Sequence, residues 1–419
     1  MHRLWPLVFC CVATASAGPA DETIAQQALL DKVRGHMSDN LTRLPDYTCL
    51  ETIERLERVL PARRFDLMDT VRLEVGLING KEMFSWPGAT TFDDKPVDQF
   101  VLGGIIGNGN FALHAKMAFQ SNVPRFTYGG EQMLNGRRTL LWNYTVSRKD
   151  GGFVVRTSNH QAVLGSHGSF WVDRETLDVI RLEVEAADIP PELELTRVGN
   201  SVNYMRARIG DASFLLPREA ELQMIDLRHL DSLNRLHFSS CRQYLGESKV
   251  SFGEPTEGVS AAQPLRTVEL PVESKLYLVL QTPIQSGVST TGDALTFELQ
   301  QDVNSAGVTL FRKGSLVRGR LVLLRRYKVN KDGYAVGVQL REIESGSARA
   351  TVNAKLDEIP LLPNEVYWSA YHYRQLLSKK GQPESAGSFF FQEGKSVKLP
   401  KGTSMAWQTV SESQAIKEE

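Results

Sequence analysis

The feature that most constrains the fold of this chain is a two-residue alternation of apolar and polar side chains. Residues 71–77 (VRLEVGL) place Val and Leu on one side of an extended chain and Arg and Glu on the other. Residues 140–146 and 180–185 show the same pattern. Successive side chains of a β-strand lie on opposite faces, so the alternation predicts antiparallel strands with one buried and one solvated face. We therefore expect a mainly β (α+β) chain.

Three segments predict helices instead of strands. Residues 22–44 repeat apolar side chains at helical spacing, with Asp21 as an N-cap and Pro45 after the end. A short helix is expected at 110–121, directly after the glycine-rich segment LGGIIGNGN, and a further one at 364–380. The first two helices are the candidates to cover the apolar face of the first sheet.

The length of 419 residues predicts two successive β-rich domains. The segment 246–266 is rich in Gly, Ser, Pro and Glu, so we place the boundary there: a first domain at 18–250, a linker at 251–266 and a second domain at 267–410. Short alternating strands separated by turn residues predict a small β-barrel or sandwich for the second domain. Residues 411–419 are expected to form a solvated tail.

The N-terminus has the order of a secretory signal. A short basic start precedes an apolar run, which ends in Ala15-Ser16-Ala17. We therefore expect residues 1–17 to be removed and the protein to be periplasmic or secreted; an uncleaved N-terminal anchor is the alternative. Cleavage would remove two of the four cysteines and leave Cys49 and Cys241, which are expected to form a disulfide in an oxidising compartment. Two separate buried thiols are the other interpretation.

No motif of the sequence predicts catalysis, a metal or a cofactor. The glycine-rich segment 102–110 fits no phosphate-binding pattern, and GSHGS at 165–169 has His167 where a nucleophile elbow needs Ser. His160 and His167 would meet only across a hairpin, which makes them a weak metal pair. The formal net charge of -1 gives no reason to expect nucleic acid as a partner.

The stretch 312–331 holds eight Lys or Arg and no acidic residue. It could contact an anionic glycan, a lipid headgroup or nucleic acid. We favour the solvated side of a hairpin, with long side-chain stems covering the strand.

Residues 22–250 resemble the outer-membrane lipoprotein carrier and sensor-like (LolA-like) family. The resemblance rests on GSFWVDRETLDVIRLEVEA (168–186), a strand, an Asp-containing turn and a returning strand, together with the leading helix. It implies a curved antiparallel half-barrel with covering helices around an apolar cavity for acyl chains. Residues 268–345 resemble the small β-barrel of conjugation-channel (TrbI-like) proteins, through LYLVLQTPIQSG, TGDALTFELQQDV and LFRKGSLVRGRLV. Segments such as DYTCLETIERLER are similar to exported proteins of soil bacteria.

Aromatic side chains on the predicted strands of the first domain have two interpretations. They line a lipid cavity if the curved sheet leaves one, and otherwise they are core; the set is Phe84, Trp86, Trp142, Tyr144 and Phe170. We interpret the chain as a non-catalytic envelope protein that binds a lipid or lipoprotein acyl chain and contacts envelope protein or glycan through its second domain. The alternatives are a secreted hydrolase and a protein–protein interaction module with a filled core.

Overall fold

The computed structural model describes residues 19–245 and 266–411, apart from 90–91, 93–94, 96, 102, 108–110, 151–152, 158–159, 329–331, 347 and 359–387. The expected signal segment 1–17, the helix at 364–380, nearly all of the linker and residues 412–419 lie outside the described residues. Their structure is therefore not part of the account below. No helix in the described ranges is long and apolar enough to cross a membrane.

The first half of the described chain forms two helices and eleven strands: α1 (Pro19–Arg43), β1 (Tyr47–Val59), β2 (Asp66–Ile78), β3 (Lys81–Ser85), α2 (Leu113–Gln120), β4 (Arg125–Leu134), β5 (Arg137–Val146), β6 (Phe153–Arg156), β7 (Gln161–Asp173), β8 (Val179–Ala187), β9 (Leu195–Ile209), β10 (Ala212–Asp226) and β11 (Leu230–Gln243). The second half adds thirteen short or medium strands: β12 (Arg266–Thr267), β13 (Lys275–Leu280), β14 (Ile284–Gln285), β15 (Ala294–Leu299), β16 (Val303–Ser305), β17 (Val308–Phe311), β18 (Leu316–Tyr327), β19 (Gly333–Ser345), β20 (Ala348–Thr351), β21 (Ala354–Glu358), β22 (Ser388–Glu393), β23 (Lys398–Leu399) and β24 (Ser404–Thr409).

The first sheet is an antiparallel half-barrel, as predicted. Its strand order is β3-β2-β1-β11-β10-β9-β8-β7-β5-β4, and β6 pairs with β7 beside β5. Alternate residues of β1, β2, β5 and β7 point to one face, where they join a single buried core with α1 and α2. We call this the inner face.

α1 confirms the first predicted helix. Its apolar stripe of Leu30, Val33, Met37 and Leu41 is buried against the inner face, and the helix ends before Pro45. Asn40 fixes the helix on β10, because its side-chain amide donates to the carbonyl of Leu215 (3.0 Å) and accepts from the same residue's N–H (2.8 Å). One buried side chain thus satisfies both backbone groups of a strand residue.

α2 confirms the second predicted helix and begins three residues later than expected. Its N-terminal N–H groups are satisfied by a side chain of the sheet: Glu82 Oε1 accepts from Ala112 N at 2.7 Å and from Leu113 N at 3.1 Å. A carboxylate at a helix N-terminus also interacts favourably with the helix dipole. Glu82 of β3 therefore ties the start of α2 to the sheet edge.

The second sheet has the order β12-β20-β19-β18-β15-β13-β24-β21, with β22 on the other part of β19. Its buried side chains form one core, in which Trp407 and Phe297 are the largest fully buried rings. The sheet curls far enough that the Ser388 hydroxyl of β22 accepts from the backbone N–H of Leu356 in β21. Two small hairpins, β14–β23 and β16–β17, complete this half.

The two halves are in direct contact through β2 and the β14–β15 connection. The backbone N–H of Arg72 donates to the Thr291 carbonyl (2.8 Å), and the Thr291 N–H donates to the Thr70 carbonyl (3.0 Å), which makes a parallel bridge. The Arg72 side chain adds an ion pair to Asp293 at 3.0 Å. The predicted domain boundary is thus spanned by a backbone contact between the two sheets.

The expectation of a solvated basic stretch is wrong. Arg320 and Arg325 of β18 are each only 4% exposed, and both bond to residues of the first half. Arg318 pairs with Glu342 and Glu344, and Arg326 with Asp332. A charge that is paired or hydrogen-bonded can be buried, and the sequence pattern does not show that the partners are supplied from distant strands.

Candidate functional site

The inner face at the β5–β7 end of the half-barrel is aromatic. Trp142 and Phe170 are register partners on β5 and β7, and their rings stack at 5.6 Å with 11° between the planes. Phe119 of α2 meets Phe170 edge-on at 5.0 Å, and Tyr128 of β4 lies 5.3 Å from Trp142. These contacts lie in the range where aromatic pairs are stabilising.

Tyr144 extends this cluster and uses a glycine to do so. Its hydroxyl donates to the Glu183 carbonyl at 2.9 Å, which requires the ring to lie flat across Gly168 of β7. A Cβ on Gly168 would come within 2.7 Å of the Tyr144 hydroxyl and 2.1 Å of the Glu183 carbonyl oxygen. Burial raises the pKa of Tyr144 to well above its usual value, with Glu183 as the second cause.

The five aromatic residues predicted as a lipid site fall into two groups. Trp142, Tyr144 and Phe170 lie together, while Phe84 of β3 is buried at the opposite end of the sheet. Trp86 is not on a strand: it follows β3, meets Phe100 at 5.9 Å and lies under the Arg320 guanidinium at 5.6 Å, so it faces the second sheet. Their role in binding a ligand stays a prediction.

The inner face between these two ends is covered by α2 and the segment before it, residues 97–112, which we call the cover. Val97, Phe100, Val101 and Phe111 are buried in the same core as the sheet side chains. The Phe111 ring lies 4.8 Å from Tyr47 on β1 and 5.4 Å from Phe238 on β11. Sequence reasoning missed these residues, although Phe100, Val101 and Phe111 flank the glycine-rich segment that it singled out.

A carboxyl group lies on the inner face of β1 where apolar side chains are expected. Glu51 is 3% exposed, and its neighbours across the sheet are Phe238 and Leu73. Its Oε2 atom has no hydrogen-bond partner among the described residues. Burial, with a smaller contribution from Glu82, raises its pKa to about 8. The sequence held the signal, because Glu51 is in phase with Cys49 and Ile53.

Three further polar groups share this interior. Burial and the charge of Glu82 raise the pKa of Tyr47, and burial, Tyr144 and Glu82 raise that of Tyr204. The Tyr204 hydroxyl is buried and finds no hydrogen-bond partner in the described part of the chain. Glu82 thus acts electrostatically on Glu51, Tyr47 and Tyr204 while it caps the N-terminus of α2.

The predicted disulfide joins Cys49 of β1 to Cys241 of β11, with a Cα–Cα distance of 4.0 Å. Strand pairing alone would not align the two cysteines, because Leu50 pairs with Ser239 and Thr48 with Arg242. β11 therefore carries an extra residue, and Ser240 adopts a left-handed φ of 51°. This bulge turns Cys241 toward the inner face, where Cys49 lies.

A charged cluster borders the cover and joins it to the second sheet. Arg55 donates to both carboxylate oxygens of Asp69 and to the carbonyl of Gly103, and Arg325 donates to Asp69 (3.2 Å) and to Glu57. The Asp69 side chain is fully buried. Burial alone would raise the pKa of Asp69, but Arg55 and Arg325 hold it below its usual value.

The histidine pair considered for a metal is not brought together. His160 precedes β7 and His167 lies within it, so the extended strand separates them by roughly 20 Å. GSHGS is likewise part of β7 and not a turn. Within the described ranges there is no group of three or more His, Cys, Asp or Glu that could hold a metal ion.

Comparison with solved structures finds lipoprotein-sorting folds at low similarity. A DUF1329 family protein from Desulfovibrio piger matches at 13% identity and a TM-score of 0.30, over 52% of this chain and 93% of that chain. A putative outer membrane lipoprotein-sorting protein domain from Vibrio parahaemolyticus matches at 11% and 0.30, over 52% and 94%. A LolA superfamily protein from Nitrosomonas europaea matches at 13% and 0.26, over 52% and 93%.

No family model and no curated protein matches the sequence. The structural neighbours belong to the class of protein that residues 168–186 resemble. Their similarity is too low to assign the chain to a family or to transfer a ligand to it. The resemblance of residues 268–345 to conjugation-channel proteins stays a prediction.

Proposed function

We propose that this chain is an exported, non-catalytic envelope protein whose half-barrel binds an acyl chain on its inner face, beneath the cover. One observation carries the proposal: the apolar inner face is covered by an eight-residue helix and its leading segment, and not by a second sheet. The cover places Phe111 and Phe119 on the sheet aromatics, in the position that an alkyl chain would take.

The energetics of such binding are those of an exchange. Each buried CH₂ of a ligand contributes about 0.8 kcal/mol, and the ligand replaces contacts that the cover makes in its absence. The affinity then depends on how readily the cover moves. A smaller side chain at position 111 should therefore raise the affinity for alkyl chains.

The disulfide supports an extracytoplasmic location. Disulfides persist in oxidising compartments such as the periplasm and are rare in the cytosol. The Cys49–Cys241 bridge fits export, as expected from the N-terminal sequence. The contact of the second domain with glycan or envelope protein stays a prediction, and the basic stretch that suggested it is occupied by contacts within the chain.

The test is binding of an environment-sensitive alkyl probe to the purified protein, followed by displacement with unlabelled amphiphiles. We expect saturable uptake by the wild type and tighter uptake by Phe111→Ala. The matched control is Phe311→Ala, which removes an equally buried ring from the second core and should leave probe affinity unchanged.

A protein–protein interaction module is the second candidate, because the inner-face rings already contact one another. It predicts that neither the wild type nor Phe111→Ala takes up the probe while both remain folded. That outcome would refute the acyl-chain proposal and leave the half-barrel fold intact.

A further inference from the structure

The polar groups of the half-barrel interior point to the chemistry of the ligand's head. Glu51 is a carboxyl on an apolar face, and Glu82 is a second carboxyl that acts on it. Within the described residues no Lys, Arg or His forms an ion pair with Glu51; the next inner-face residue with a charge, Arg55, is bonded to Asp69. The interior therefore carries more acidic than basic groups near the cover.

The position of Glu51 relative to the cover is fixed by its neighbours. Glu51 is the register partner of Phe238, and Phe238 contacts the Phe111 ring of the cover. Phe111 precedes the two N–H groups, of Ala112 and Leu113, that Glu82 caps. An alkyl chain that displaces Phe111 would thus expose its head to Glu51, Glu82 and the hydroxyl of Tyr204.

The two orphaned polar atoms define what that head should be. Glu51 Oε2 and the Tyr204 hydroxyl are both buried without a hydrogen-bond partner in the described part of the structure, and a buried polar group in that state is destabilising until a partner arrives. A carboxylate head would be repelled by Glu82 and would compete with it for donors. A protonated amine offers three donors and a positive charge, which both carboxyls accept.

We propose, on the basis of the acyl-chain function above, that the half-barrel selects amphiphiles whose head carries a protonated amine, with Glu51 and Glu82 as its acceptors. Tyr204 contributes its hydroxyl oxygen as a further acceptor. The ligand class is therefore a long-chain amine or an aminolipid, and free fatty acids are discriminated against.

Binding of an amine should release a proton. With a pKa of about 8, Glu51 is mostly protonated at pH 7 in the free protein. An ammonium group beside it favours the carboxylate, so the Glu51 proton passes to solvent when the complex forms. The titratable groups that act on this site are Glu82 from β3, Tyr47 from β1 and Tyr204 from β9, and none of them is basic.

The test compares three ligands with the same ten-carbon chain and different heads: decylamine, decanol and decanoate, each below its micelle concentration. Isothermal titration at pH 7 in buffers of different ionisation enthalpy gives both the affinity and the number of protons released. We expect the amine to bind at least tenfold more tightly than the carboxylate and to release between half a proton and one proton. Decanol should release none.

The variant Glu51→Gln should reduce the preference for the amine to less than threefold and abolish the proton release. Glu54→Gln, three residues along the same strand and exposed, is the matched control and should behave as the wild type. If Glu51→Gln does not fold, the proton release of the wild type with amine but not with alcohol decides the question.

The outcomes separate this inference from the function on which it rests. If none of the three ligands binds, the acyl-chain function fails. If all three bind with equal affinity and without proton release, the acyl-chain function stands and the amine selectivity is overturned. Equal binding of decylamine by wild type and Glu51→Gln would also overturn it.

Discussion

The replacement Glu51→Gln should change how the stability of the protein depends on pH. In the folded state the pKa of Glu51 is about 8, against an ordinary value of 4.5. Between these two values the unfolded chain has lost the Glu51 proton and the folded chain still holds it. Unfolding therefore releases a proton, and the stability of the wild type falls as pH rises through this window.

The size of the effect follows from the shift. One pKa unit corresponds to 1.36 kcal/mol, so a single linked proton gives a slope of about 1.4 kcal/mol per pH unit. Over the interval from pH 5 to pH 7.5 the free energy of unfolding should fall by roughly 3 kcal/mol because of Glu51 alone. The glutamine variant cannot titrate and lacks this contribution, whatever the constant cost of its buried amide.

The assay is urea unfolding of wild type and Glu51→Gln at half-unit steps from pH 5 to pH 7.5, followed by far-UV circular dichroism. The quantity of interest is the difference in free energy of unfolding, which should move in favour of the variant as pH rises. Glu54→Gln controls for general effects of removing a carboxylate from β1 and should parallel the wild type. Parallel profiles for wild type and Glu51→Gln would refute the assignment of Glu51 as a buried protonated acid.

Three further variants test the contacts that hold the half-barrel. Asp69→Asn leaves the Arg55 and Arg325 cations without their shared carboxylate and should cost about 3–5 kcal/mol of unfolding free energy, read from urea midpoints; a loss below about 1 kcal/mol would contradict the buried ion-pair cluster. Cys241→Ser should cost about 2–5 kcal/mol in urea unfolding under non-reducing conditions, since the bridge closes a separation of 192 residues; an unchanged midpoint would speak against the bridge. Gly168→Ala should cost about 1–3 kcal/mol and lower the melting temperature, because the methyl group collides with Tyr144; wild-type stability would show that the ring does not lie across β7.

The strands and helices of the first half could be predicted because their signals are local. The alternation in 71–77 and 140–146 reports which side chains are buried, and the apolar stripe of α1 does the same at helical spacing. The cysteine pair was predictable by elimination. Its geometry was not, because the bulge at Ser240 that aligns the two sulfur atoms depends on the pairing of β11 with a strand nearly two hundred residues away.

The contacts between the two halves could not be predicted for the same physical reason. Arg320 and Arg325 follow the alternation of an ordinary solvated strand, and their partners Pro87, Asp69 and Glu57 lie more than two hundred residues earlier. Trp86 was placed on a strand by its aromatic character, yet it packs beneath Arg320 just past the end of β3. In each case a long-range partner determines burial, and a single sequence does not identify that partner.

The measurement that tests the central claim most directly is mass spectrometry of the lipids that copurify with the full chain from a bacterial envelope fraction. The account predicts an amphiphile with an alkyl chain in stoichiometric amount, retained by the wild type and enriched for amine-bearing heads. Trp142→Asp should lose it, while Glu183→Lys, at a half-exposed position of β8, should keep it. Protein that is folded, carries no lipid and takes up no alkyl amine from solution would contradict the claim that the half-barrel is a carrier.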